Sequence, residues 1–285
     1  MGKFYEALKR SGTVKEDGET KPPSRLVVQA SPEGLNQRKP DMVTPEQPVR
    51  MRPTQPDTVD PRLTALLDPS APAAECFKML RTKLLVASRE KELRTVMVTS
   101  AEPLDGKSLV AANLAVSIAQ GINEYVMLAD CDLRAPSIHR MFNVKTSRGI
   151  QEYLKEGTTL APFLTKTSLK KLTLLPGSQP CSNPSELLCS QKMRLLVDEL
   201  KARYDDRFII FDAPPGQFTA ETAFLARLMD AVILVARYGK TPRQLISETI
   251  NNIGRERIFG VVFNASYERQ KDYRYYYRYY RGKGK

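Results

Sequence analysis

The chain has one histidine and four cysteines among its 285 residues, and no apolar run of membrane-spanning length. Each shortage narrows the function. With His139 alone there is little room for a histidine-ligated metal or a Ser-His-Asp triad. The cysteines (Cys76, Cys131, Cys181 and Cys189) form no C-x-x-C pair, which argues against a zinc site or a disulfide framework and suits a reducing cytosol. No stretch approaches the roughly 18 apolar residues of a membrane helix; the longest, such as Ala231–Ala236, read as buried strands. The N-terminal MGKFYEALKR lacks the apolar segment of a secretory signal, and Glu6 stands where a myristoylation signal has Ser or Thr. Membrane association is therefore expected only through a partner.

What is present is a basic, core-forming chain: 41% hydrophobic residues and a net charge of +12. The charge favours nucleotide phosphates, nucleic acid or an anionic membrane face without choosing among them. Residues 1–14 carry Phe4, Tyr5 and Leu8 at helical spacing, which suits a short docking helix as well as it suits a frayed terminus. Residues 15–70 read as a Pro-rich linker, disordered over Lys15–Pro61, because Pro22, Pro23, Pro32, Pro40, Pro45, Pro48, Pro53 and Pro56 interrupt any regular element. Residues 71–266 form the folded domain. Phe77, Leu80, Leu84 and Ala87 recur at helical spacing, and Asn183, Pro184 and Glu186 read as N-cap, first position and capping-box partner of a later helix. Six short apolar runs (Val96–Ser100, Tyr125–Ala129, Leu172–Leu175, Phe208–Phe211, Ala231–Ala236 and Phe259–Phe263) alternate with helical stretches. The expected fold is α/β, a mostly parallel central sheet flanked by helices. Ligands of such sheets sit at the carboxyl ends of the strands.

Three polar signatures fall at those ends. The first, Ala101-Glu-Pro-Leu-Asp-Gly106-Lys107-Ser108, has phosphate-loop spacing with Ala101 in place of the first glycine. Backbone N–H groups at the following helix start would face phosphate oxygens, Lys107 would reach the β- and γ-phosphates, and Ser108 would ligate Mg²⁺. If Leu104 needs a positive φ, its backbone is strained. The second, Asp130-Cys131-Asp132-Leu133-Arg134, places two carboxylates that suit a metal or a proton, or else a solvated junction with an internal Asp–Arg pair. The third, Phe208-Ile-Ile-Phe211-Asp212-Ala213-Pro214-Pro215, presents Asp212 as a Walker B carboxylate. Cys131 reads as a packing residue, and His139 as structural or near substrate.

In this order the motifs resemble those of the bacterial tyrosine kinases, within the deviant-Walker P-loop ATPases. Glu75-Cys-Phe-Lys-Met-Leu-Arg81-Thr, Asp130 through His139, Asn183-Pro-Ser-Glu-Leu-Leu188 and Phe208 to Pro215 carry the likeness. The resemblance implies that Lys107, Asp130 and Asp132 are catalytic and that Ser108 and Asp212 serve magnesium. It also implies that Pro103, Leu104, Asp105, Gly106, Lys107, Ser108 and Leu109 cradle ATP while Asn264 faces the base. Glu75, Lys78 and Arg81 match an oligomerisation motif, with Lys78 in place of arginine and so without its bidentate fork. The implied partners are further copies of the chain, a tyrosine phosphatase, and a membrane-embedded polysaccharide co-polymerase that activates the kinase as a separate chain. That would make the protein cytoplasmic, held at the inner face of the membrane through this partner.

Residues 267–285 hold seven tyrosines (Tyr267, Tyr273, Tyr275, Tyr276, Tyr277, Tyr279 and Tyr280) interleaved with basic residues, for a net charge of +5. They read as a mobile tail, about 60 Å long when extended at roughly 3.3 Å per residue, able to reach a neighbouring active site. Full phosphorylation would add roughly −10 to −14 charges and could release subunits from an assembly. Interleaved aromatics and arginines also suit nucleic acid, a reading that the attached phosphate-loop domain disfavours. The expected function is tyrosine autophosphorylation of the tail, controlling exopolysaccharide polymerisation or export. The alternatives are a division- or partition-type ATPase switch without tyrosine kinase activity and a nucleotide-binding scaffold of a polysaccharide assembly complex.

Overall fold

The computed structural model describes residues 59–266 except 157, 158, 205 and 218. The expected docking helix, most of the linker and the seven tail tyrosines lie outside the described residues. Within them, seven strands form one sheet: β1 (Thr95–Ser100), β2 (Tyr125–Asp130), β3 (Thr165–Lys166), β4 (Leu172–Leu175), β5 (Arg207–Asp212), β6 (Ala231–Arg237) and β7 (Ile258–Asn264). Their order is β3-β4-β2-β5-β1-β6-β7. All neighbours pair in parallel except β3 with β4. Six strands were legible as apolar runs; β3 has two residues, neither apolar, and so carries no such signal.

The described helices are α1 (Thr64–Leu67), α2 (Pro72–Lys91), α3 (Lys107–Ala119), α4 (Ile138–Met141), α5 (Ile150–Glu156), α6 (Pro184–Leu188), α7 (Gln191–Arg203), α8 (Ala220–Leu228) and α9 (Arg243–Ile253). Successive strand residues face opposite sides of the sheet, and both sides are covered. Val96, Val98, Val126, Leu128, Ile210 and Ile233 pack with α3 on one face. Met97, Met127, Ile209, Phe211 and Val232 pack with Leu196, Leu200 and Leu225 of α7 and α8 on the other. Every residue of α3 from Val110 to Ala119 is buried, because it lies between the sheet and α2. Among the described residues no helix is long and apolar enough to cross a membrane.

Two local expectations need correction. The linker reading ran to residue 70, yet the described chain packs from Val59 onward. Leu63 and Ala65 are buried in the α3-side core, and the Asn113 side chain accepts from Ala65 N (2.9 Å) and donates to Arg62 O (3.1 Å). The short segment Leu63–Leu67 has too few residues to show a period, but enough to pack along α3, where Asn113 and Gln120 bond its backbone. At α6, Asn183 precedes Pro184 as expected, but its side chain makes no cap bond and instead donates to Glu186 Oε2 at 3.3 Å.

Candidate functional site

β1 runs directly into the phosphate loop, and the loop is braced from three sides. The Ser100 hydroxyl donates to Glu102 O at 2.7 Å. The buried Asp105 carboxylate accepts from Glu102 N at 3.1 Å and from the Thr241 hydroxyl at 2.7 Å. Asn264, at the end of β7, donates through Nδ2 to Asp105 O at 2.9 Å. Gly106 has φ of 96°, and a Cβ there would stand 2.0 Å from Asn264 Nδ2. Leu104 does adopt the strained left-handed conformation, φ 67°. Its side chain is 88% exposed, pointing away from the loop's interior. Pro103 is exposed, and Leu109 packs against the core, leaving only its backbone toward a phosphate.

The Lys107 ammonium lies where the three polar signatures meet. It donates to Asp132 Oδ2 at 2.6 Å and to Ser108 Oγ at 3.2 Å, and stands 4.0 Å from Asp212 Oδ1. Parallel pairing of β2 with β5 sets Asp130 beside Asp212. Asp130 Oδ2 accepts from the backbone N–H groups of Ser137 (2.9 Å) and Ile138 (3.0 Å), while its Oδ1 is buried with no partner.

Burial dominates the electrostatics. It pushes Asp130 up to about 7, with the Asp212 charge adding to it and the two backbone donors opposing it. Burial likewise raises Asp212 to about 6 against the pull of Lys107. Lys107 loses from burial, but Asp212, Asp132 and Asp130 more than offset that and its pKa is raised. The buried Cys131 thiol is pushed up by burial and by its three aspartate neighbours, so it remains a thiol and a packing residue.

Both Asp212 oxygens are buried without a hydrogen bond of good geometry, although the Ser108 hydroxyl faces them and lowers the Asp212 pKa. A buried carboxylate whose oxygens accept no hydrogen bond of good geometry, with a hydroxyl beside it, fits a cation. Among the described residues no group of three or more His, Cys, Asp or Glu is arranged to hold a metal unaided. Remaining ligands would come from water and phosphate, as Mg²⁺ accepts.

The alternative reading of a solvated junction with an internal Asp–Arg pair is not what the structure shows. Arg134 instead donates through Nε (3.1 Å) and Nη2 (2.8 Å) to Glu221 Oε1 on α8, and the Ser185 hydroxyl donates to Glu221 Oε2 at 2.8 Å. Glu221, Ser185 and Thr241 were not anticipated; each lies far along the chain from its partner and no spacing rule links them. The oligomerisation candidates share α2, where Lys78 pairs with Glu75 at 3.1 Å and Arg81 donates to Ser117 O at 2.7 Å.

A family model described as ParA, NUBPL iron-transfer P-loop NTPase, matches residues 93–284. Tyrosine-protein kinase YwqD of Bacillus subtilis is 32% identical over 215 residues, covering 74% of this chain and 90% of that protein. The kinase domain of Escherichia coli tyrosine kinase ETK superposes with a TM-score of 0.67 at 29% identity, covering 77% of this chain and 84% of that one. The chimerical protein CapA2B2 gives a TM-score of 0.66 at 27% identity, covering 72% of this chain and 90% of that one.

Proposed function

Because the chain belongs to the bacterial tyrosine kinase family, within the P-loop NTPases of the MinD and ParA type, we propose that it transfers the γ-phosphate of ATP to tyrosines of its own C-terminal tail. The observation that carries the reading is the meeting of Lys107, Ser108, Asp132 and Asp212 at one sheet edge. The backbone from Gly106 to Leu109 would receive the phosphates, with Lys107 reaching the β- and γ-oxygens. Asp212 and Ser108 would hold magnesium, whose contribution is to neutralise charge on the phosphates.

The Lys107–Asp132 pair gives the site a resting arrangement. With Lys107 turned toward a bound phosphate, Asp132 would be free to accept the proton of an incoming tyrosine hydroxyl, ordinarily near pKa 10. Asp130, tied to Ser137 and Ile138, shapes the loop that carries Asp132 and adds a second carboxylate behind it. The acceptors are Tyr267, Tyr273, Tyr275, Tyr276, Tyr277, Tyr279 and Tyr280, presented by another copy. Glu75, Lys78 and Arg81 form the contact between copies. Control of capsule or exopolysaccharide production through a membrane-embedded activator on a separate chain completes the reading, supported by the likeness to the CapA2B2 chimera. A tyrosine phosphatase would reset the tail.

The test is incubation of the purified chain with ATP and Mg²⁺, with phosphotyrosine mapped by mass spectrometry, beside Lys107→Ala. Tail phosphorylation reduced at least about 100-fold in the variant is the expected result. ATP hydrolysis without phosphotyrosine would replace the reading with an ATPase switch, and neither activity would leave a nucleotide-binding scaffold.

A further inference from the structure

Next to the catalytic loop lies a pocket of about 390 Å³ whose lining includes Arg134, Pro136, His139, Arg140, Gln179 and Pro180 and no carboxylate. Its two guanidiniums are not equivalent. Arg134 is largely neutralised by Glu221. Arg140 is exposed, is in no ion pair among the described residues, and is steadied by a bond from Nη2 to Pro136 O at 2.9 Å. Among the described residues the buried His139 Nδ1 makes no hydrogen bond of good geometry, although the imidazole also interacts with the Gly177 backbone.

The walls are built rather than incidental. A Cβ on Gly177 would stand 2.7 Å from Pro136, so one wall closes on the other only because residue 177 is glycine. Gln151 holds the far wall, accepting from Ser178 N at 3.2 Å and donating to Gln179 O. The exposed Arg140 guanidinium, with Arg134 beside it, suits the oxygens of a phosphate, and the exposed Pro180 ring offers a flank for an aromatic group.

We propose that this pocket seats the phosphate of an already phosphorylated tail tyrosine, so that one modified tyrosine presents its neighbour to Asp132. The proposal rests on the kinase reading above. The two sites share one loop. Ala135 N donates to Asp132 Oδ1 at 3.3 Å, and four residues from Asp132 to Pro136 span at most about 13 Å. Tyr273, Tyr275, Tyr276, Tyr277, Tyr279 and Tyr280 each have another tyrosine within two residues, so an occupied pocket leaves an acceptor within reach of the carboxylate.

Charge supplies the selectivity. The unmodified tail carries +5 and is repelled by the arginines, whereas each phosphotyrosine brings about −1.5 to −2. The first phosphate is therefore the slow one, and later phosphates accumulate on chains that already carry one.

The test begins without ATP. Fluorescent peptides of residues 271–281, unmodified and phosphorylated on Tyr279, are titrated with the dephosphorylated full chain and read by anisotropy. The phosphopeptide should bind at least about tenfold tighter than the unmodified one. Inorganic phosphate should compete, Arg140→Ala should remove the preference and Arg140→Lys should keep part of it. Equal binding of the two peptides, or a preference that survives Arg140→Ala, would overturn the proposal. A time course with ATP and Mg²⁺ then gives the ratio of multiply to singly phosphorylated chains by intact mass. That ratio should fall at least about fivefold in Arg140→Ala, and an unchanged ratio would also refute the pocket. A chain that prefers the phosphopeptide yet transfers no phosphate refutes the kinase reading and with it the presentation step, while upholding the pocket as a phosphotyrosine seat. One that transfers phosphate without the preference refutes the pocket alone.

Discussion

Asn264 closes the phosphate loop from the end of the edge strand: its Nδ2 donates to the carbonyl oxygen of Asp105 at 2.9 Å, across 159 positions of sequence. The family resemblance assigns this asparagine to the nucleotide base. In the structure its amide holds the loop, directly over the glycine that precedes Lys107.

That contact makes Gly106 and Leu104 opposites, though both have positive φ. A methyl at Gly106 would collide with Asn264 as well as strain the backbone, so Gly106→Ala should weaken binding of a fluorescent ATP analogue at least about tenfold. Leu104 contacts little. Its left-handed backbone costs roughly 1–2 kcal/mol, and a glycine would relieve that at roughly 0.5–1 kcal/mol of chain entropy. Leu104→Gly should leave stability unchanged or raise it by up to about 1 kcal/mol in urea unfolding. A clear loss would mean that the leucine packs on something in solution.

Thr241 braces the same loop from the turn after β6, through its hydroxyl on Asp105. Thr241→Val leaves a buried carboxylate with one donor fewer, which should cost about 1–2 kcal/mol. Asp105→Ala removes the Glu102 bond as well and should weaken ATP-analogue binding more than Thr241→Val does. Equal affinity in both variants and the wild type would show that the loop holds its shape without them.

The fold and the core of the site were readable because their causes are local. Apolar runs such as Phe208–Phe211 announce strands, and Gly106-Lys107-Ser108 announces a helix start. Parallel pairing then forces Asp130 and Asp212 side by side. What could not be read depends on distant partners. Nothing in the sequence around Glu221 says that it is buried against Arg134, 87 positions away. Leu63–Leu67 is too short to show a period, so its packing against α3 was hidden inside an apparent linker. For Leu104 the phosphate-loop spacing posed only the condition that a positive φ would strain its backbone; that it adopts one, with its side chain in solvent, came from the structure.

Glu221 is the tie between the catalytic loop and α8, and its removal should be felt as stability. Burial raises its pKa, but its own backbone N–H, Ser185 and Arg134 outweigh that and the net shift is downward. A carboxyl lowered from 4.5 stabilises the fold above that value, and the contribution is lost as pH falls through the lower folded value. Glu221→Gln keeps the shape and discards the charge. It should cost about 1–2 kcal/mol at neutral pH by denaturant unfolding, with the difference from wild type shrinking in acid. A constant difference down to acid unfolding would mean that the charge is not what Arg134 responds to.

The Asp130–Asp212 pair has the opposite sign. Asp130 is raised from 3.8 to about 7 and Asp212 to about 6, so between the ordinary carboxyl range and pH 7 the folded chain binds more protons than the unfolded one. Stability from this pair is therefore fully present only below the unfolded value of 3.8 and falls steadily as pH rises from there to about 7, where both carboxylates are charged and crowded. His139 works against this in the same interval, because its lowered pKa makes the unfolded chain the better proton acceptor as pH falls below 6.5. A comparison with Asp130→Asn separates the two, since the histidine is common to both proteins. The asparagine oxygen can still accept from Ser137 and Ile138, and the buried charge is gone. The span from 3.8 to about 7 corresponds to at most about 4 kcal/mol. Sharing of charge between the two aspartates reduces it. At pH 7.5 without Mg²⁺ or nucleotide, Asp130→Asn should be more stable than wild type by about 1–3 kcal/mol in urea, and the gap should narrow steadily in acid and close only as pH falls to the unfolded value of 3.8. Adding Mg²⁺ and ADP should narrow the gap at pH 7.5, because a cation favours the charged carboxylates. A variant less stable than wild type at pH 7.5 without ligand would show that the buried charges are already compensated in the free protein.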